Sequence, residues 1–254
     1  MMNFKILIFL LVLLSSAQVT ELYGQTTGTG APGLRIDVTG SNEEGDFGVA
    51  IQLVVAMTIL TLGPSVIMMM TCFTRIVIVL GFVRNAIGVN SAPSSQIIIG
   101  LALFLTFFVM GPIWNRIYDD AVIPYMDATM KSGDALMVAT AHMKDFMMNQ
   151  TRQEDAQFFL EISRQGAMTR DELPLSIVVP SFVLSELRTA FQMGFLIFIP
   201  FIIVDFIVAS SLMSMGMMMM PPVVISMPFK LLLFVLVDGW YLIVQSLVES
   251  FNVS

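Results

Sequence analysis

At 254 residues, 56% of them hydrophobic and 12% charged, with a mean hydropathy of +0.85, the chain has the composition of an integral membrane protein and excludes a soluble domain. The net charge of −7 is spread over polar segments without an acidic block, and the 12 basic residues are scattered, which argues against a nucleic-acid surface. One cysteine, Cys72, excludes an internal disulfide and reads as a small buried hydrophobe; the single histidine, His142, has no second histidine to form a ligand pair, so no cofactor or metal is expected.

In chain order, Lys5 precedes an apolar run at residues 6–14 and the small residues Ser15, Ser16 and Ala17. That is the order of a secretory signal over residues 1–24, with cleavage after Ala17 or, as the second choice, after Gly24; an uncleaved anchor is the alternative. Residues 25–46 are rich in threonine, glycine and acids and read as a flexible tail outside the membrane. Hydrophobicity rises at Phe47, and residues 48–70 form the first candidate span, interrupted by Pro64. Residues 71–95 carry Arg75 and Arg84 and no acid, so the positive-inside rule reads them as a cytoplasmic connection. Residues 96–113 return the chain to the outside, completing a first hairpin over 47–113.

Residues 114–190 have the composition of a soluble, extracytoplasmic helical region and hold seven of the 12 basic and 11 of the 19 acidic residues. The best helix there is 133–150, with Leu136, Ala139, Met143, Phe146 and Met147 on one face; 154–165 is a second, with Phe158, Phe159 and Ile162 together. Pro180 opens the longest helix signal, 181–209, about 43 Å of helix against a hydrocarbon core of about 30 Å. It holds Glu186, Pro200 and Asp205, and the last span, 229–248, holds Lys230 and Asp238, so residues 191–254 read as a second hairpin. Ionisable residues in such segments need partners or a polar cavity, and interhelical pairing is favoured here over an ion relay, because isolated charges of mixed sign do not form one.

The connection between the last two spans is apolar where a polar loop is usual: six of the eight residues 213–220 are methionine, and Pro221 and Pro222 follow. Methionine is unbranched and polarizable, so the cluster suits either a packing filler or a soft apolar plug.

The stretches VPSFVLSELRTAFQMGFLIFIPFIIVDFIVASSLMSMGMMMMPP and ISMPFKLLLFVLVDGWYLI, with TRIVIVLGFVRNAIG before Ala92-Pro93, resemble the FliP family of flagellar biosynthetic proteins from about Phe47 to the C-terminus. The resemblance implies an all-α membrane protein whose helical hairpins assemble as a ring, a pentamer, into the export gate of the flagellar type III secretion system in the bacterial inner membrane. It implies FliQ and FliR family subunits as partners in a channel for unfolded flagellar proteins, completed by the FlhA and FlhB families. It further implies that Met217, Met218, Met219 and Met220 form a gasket around the pore, and that Glu186 and Lys230 support assembly by ion pairing, with Asp205 a weaker third. It also makes the four spans a statement of hydropathy, since in this family much of the nominally transmembrane sequence packs inside the assembly.

Three other readings are weighed against this one. A virulence-type secretion homologue differs mainly in genomic context. An ion-coupled transporter would show paired, interrupted spans around clustered carboxylates, for which Asp205 and Asp238 are too sparse. An intramembrane enzyme would need motifs such as HExxH or GxSxG, which the sequence lacks.

Overall fold

The computed structural model describes residues 43–89, 93–164, 166, 168–170, 172–217 and 221–251, with side chains described from residue 51. The signal expected at 1–24, and the tail as far as residue 42, lie outside the described residues. The chain divides into two units, Met1–Val54 and Val55–Ser254. The described part of the first is the opening of helix α1, Glu43–Met69, which continues into the second. Pro64 lies inside α1 and removes one backbone donor, but the helix runs on through it.

Within the second unit, α2 is Phe73–Ile87, α3 is Ser95–Ile117, and a π-helical turn, Tyr118–Val122, leads directly into the short α4, Ile123–Met126. Helix α5, Ser132–Gln150, and α6, Gln153–Ser163, follow. The 40-residue α7, Leu175–Ser214, then precedes α8, Pro222–Leu236, and α9, Gly239–Glu249. All regular elements among the described residues are helical.

The segment read as a cytoplasmic connection at 71–95 is instead mostly helix α2, packed in the core. Arg75, Ile76, Val79, Leu80, Val83, Ala86 and Ile87 recur at three- and four-residue steps and are all buried. Arg75, one of the two basic residues behind that reading, has a buried side chain. Helix α2 ends at Gly88, whose φ of +80° is the left-handed conformation that a residue without Cβ adopts freely.

Side-chain pairs along the helices fix their directions. Cys72 approaches the carbonyl of Thr106 while Arg84 Nη1 donates to Ser95 Oγ at 2.7 Å, so α2 and α3 are antiparallel. Arg75 meets Glu186, and the Phe82 ring packs against Gly194 and edge-on to Phe191, so α2 runs parallel to α7. Lys230 meets Asp205 and Phe234 meets Phe201, so α8 returns antiparallel along α7. Helices α2, α3, α5, α7 and α9 thus share one core around the first part of α7, while its later part is accompanied mainly by α8.

Helix α7 begins six residues before the expected start at 181, because Pro180 costs only one hydrogen bond so close to the helix N-terminus. The last expected span, 229–248, is a pair of helices bent by 62° at Val237 and Asp238. Met143, Phe146 and Met147 of α5 are buried, but Leu136 is exposed, so its core-facing stripe begins late in the helix. Phe158 and Ile162 of α6 also face outward, whereas its acid Asp155 is buried.

Candidate functional site: two ion pairs and a methionine-tipped hairpin

The sequence leaves two questions about the charged residues: what partners they have, and at what level they sit along α7. Glu186 and Lys230, expected as partners of each other, have different partners within the chain. Glu186 is wholly buried and takes the guanidinium of Arg75 in a fork. Nε donates to Oε2 at 2.7 Å and Nη2 to Oε1. The rest of the guanidinium is also engaged: Nη2 donates to Gln150 Oε1 at 3.4 Å, and Nη1 to both the carbonyl and the hydroxyl of Ser250, each at 3.0 Å. All five N–H donors of an arginine are thereby used, and the Phe251 ring lies 4.0 Å from Cζ. This hub joins α2, the end of α5, α7 and the C-terminal residues.

Lys230 is nearly buried and donates to Asp205 Oδ2 at 2.6 Å, while Ser226 Oγ donates to Asp205 Oδ1. Ser226 and Lys230 are four residues apart on α8, so they share the face toward α7 and grip both carboxylate oxygens. The Asp205 side chain keeps 35% of its exposure, unlike Glu186. Asp205, the weakest of the three expected charges, is therefore the one that binds Lys230.

Glu186 and Asp205 are 19 residues apart on one helix, about 28 Å at 1.5 Å per residue, against about 30 Å for a hydrocarbon core. Both pairs therefore cannot lie at the midplane of one bilayer. Each charge has a counter-charge at hydrogen-bonding distance, as an ion inside such segments requires.

Beyond Asp205 the α7–α8 hairpin ends in the methionines. Helix α7 closes with a Schellman cap: Gly216 N donates to Met213 O at 3.0 Å and Met217 N to Leu212 O at 3.1 Å, with Gly216 at φ +75°. The cap turns the chain sharply and leaves Met213, Met215 and Met217 exposed at the hairpin tip. Of the expected seal, Met217 is 46% exposed, and Met218, Met219 and Met220 lie outside the described residues. Pro221 caps α8 and Pro222 is its first residue, where the missing N–H costs nothing.

Several residues of this arrangement escape sequence reading. A lone arginine in the apolar run of residues 73–83 was a signal that Arg75 needs a distant acid. Ser226 and Ser250 had no signal beyond being small and polar. His142, set aside as unable to form a ligand pair, bonds Asp120 of the π-helical turn through Nε2 at 2.9 Å. Among the described residues no group of three His, Cys, Asp or Glu side chains could hold a metal ion.

These features define a class: an all-helical membrane protein with three helices long and apolar enough to cross a bilayer, or four if the bent α8–α9 pair counts as one. The sequence model of the FliP family matches residues 56–247, and the chain belongs to that family. It is 49% identical over 217 residues to the "Flagellar biosynthetic protein FliP" of Bacillus subtilis (strain 168), covering 85% of this chain and 98% of the relative. The protein of that name from Caulobacter vibrioides is 50% identical over 80% of this chain and 76% of its own. That from Borreliella burgdorferi is 43% identical over 96% of both chains.

Proposed function

We propose that the chain is a pore-forming core subunit of the flagellar type III export gate, acting as a conduit for unfolded flagellar proteins and not as an enzyme. In this reading several copies, five as the family resemblance implies, form a ring with FliQ and FliR family subunits, and FlhA and FlhB family proteins complete the gate in the inner membrane. Residues 114–190 face the periplasm.

The observation that carries the reading is the exposure of Met213, Met215 and Met217 at the tip of the α7–α8 hairpin, beyond the Asp205–Lys230 pair. A hairpin tip is a part of the chain that symmetry-related copies can bring to a common axis. Flexible thioethers gathered there close a pore by dewetting and yield to diverse side chains when it opens. The cap at Gly216 fixes the end of α7 and so directs Met217 out of the hairpin.

Replacing Met217, Met218 and Met219 together by alanine removes apolar volume without adding charge. The complex should keep its size and leak small ions or dye, while leucine replacements should be milder, since Leu–Met exchanges cost less than about 1.5 kcal/mol. Conductance equal to that of the parent in an intact triple-alanine complex would rule out the seal.

A further inference from the structure

We propose that Asp238 and Gly239 form a hinge, held bent by a latch between Arg75 and the C-terminal Ser250 and Phe251, and that releasing the latch lets α8 and α9 join as one straight helix. The proposal concerns the single chain and does not rest on the export reading.

The first observation is a break at a strained residue, without a proline at the joint. Pro228, the proline inside α8, lies ten residues before the joint, and the helix passes through it. The bend of 62° falls where Asp238 adopts φ +51° and ψ +54°. A residue with a Cβ rarely occupies that left-handed region, though aspartate tolerates it better than most. The sequence FVLVDGWYLIV around it carries a turn-prone Asp-Gly pair and no proline, so it disfavours a continuous helix without forbidding one. The local sequence therefore places the joint without requiring the bend.

The second observation is what holds each arm. Below the joint, Lys230 ties α8 to Asp205 of α7. At the joint, the Phe234 ring folds over Gly239 so closely that a Cβ there would come within 2.4 Å of it, and it meets Trp240 edge-on at 5.2 Å. Above the joint, Ile243, Leu247 and Phe251 are buried in the core, and Arg75 Nη1 holds both oxygens of Ser250. The upper arm is thus fastened at its far end by the same guanidinium that neutralises Glu186. Once the upper arm is unfastened, the strained Asp238 has a relaxed alternative in an uninterrupted helix over 222–249, about 42 Å long. Short segments at element ends that absorb a large change of φ and ψ are what hinges consist of.

The test uses the full-length chain in lipid nanodiscs with spin labels at Val224→Cys and Ser246→Cys, both exposed positions. Cys72 is buried, and desolvation pushes its thiol up to about 12, so it stays unlabelled. A straight helix separates the two labelled residues by about 33 Å, and the bend shortens this by roughly 5 Å. The parent and Asp238→Gly, which removes the left-handed strain, should show the short distance. Phe251→Ala and Asp238→Ala should add the long one, with the straight-to-bent ratio about tenfold higher in Asp238→Ala than in Asp238→Gly. A single short distance in both Phe251→Ala and Asp238→Ala would overturn the hinge, and a long distance in the parent would overturn the latch. Should Phe251→Ala not fold, the alanine and glycine variants at 238 decide the matter by themselves.

Discussion

Arg75 places all five of its donors on partners drawn from three parts of the chain, which makes it the residue whose loss should be felt most. Removing one partner of a buried pair leaves the other charge unpaired and costs about 3–5 kcal/mol. Arg75→Ala and Glu186→Ala should each destabilise the detergent-solubilised protein by that order, read as a fall in thermal unfolding midpoint. Arg75→Lys should recover little, because an ammonium cannot reproduce the fork to Glu186 together with the bonds to Ser250. A full recovery by lysine would mean that charge alone matters there. Lys230→Ala should cost less than Arg75→Ala, since Asp205 retains the hydrogen bond from Ser226.

Between elements, the close approach of α2 to α7 depends on Gly194. A Cβ at that position would come within 2.4 Å of the Phe82 ring, which is itself packed edge-on to Phe191. Gly194→Ala should therefore destabilise the chain by about 1–3 kcal/mol through overpacking. Phe82→Leu added to it should restore part of the loss, and strictly additive effects of the two changes would show that the close approach is not the cause. At the end of α7, Gly216→Ala places a Cβ in the left-handed conformation at a cost of about 1–2 kcal/mol, and Gly216→Asn should be milder. Only the cap is disturbed in either case, so the effect should appear as faster hydrogen exchange at the α7–α8 tip, with the Arg75 hub unaffected.

Over the whole molecule, the fold is denser around the first part of α7, and Cys72 reports on that dense region. Its thiol lies outside the span-capable helices, and burial pushes it up to about 12, while a hydrogen bond with the Thr106 side chain offsets only part of the shift. The folded state thus keeps a proton that an unfolded cysteine, with its ordinary value near 8.5, releases. Stability drawn from this group is fully present below about pH 8.5 and falls as pH rises toward 12. Maleimide labelling of Cys72 at pH 7.5 should accordingly require unfolding, and its rate should rise in parallel with denaturant-induced loss of helix. Fast labelling of the native protein would show that this region opens locally.

Composition and the three- to four-residue spacing of apolar side chains were enough to establish a helical membrane chain, the helices at 133–150 and 154–165 to within a few residues and the apolar connection rich in methionine, while the resemblance to the FliP family, which the comparisons bear out, lay in particular stretches such as residues 179–222. Each of these is carried by residues close together in sequence, where periodicity, capping and residue type act directly. The charge pairs are not of that kind. Glu186 finds Arg75 across 111 positions and Asp205 finds Lys230 across 25, and no local pattern distinguishes those partners from the pairing of Glu186 with Lys230. Tertiary structure alone made α2 a core helix, since a mostly apolar segment with two arginines reads equally as a connection or as a buried helix until an acid is placed beside Arg75. Nor is it local that the two arms of the last span, bent at Asp238, are tied to α7 through Asp205 and to α2 through Arg75, residues that meet the segment only after the helices have packed.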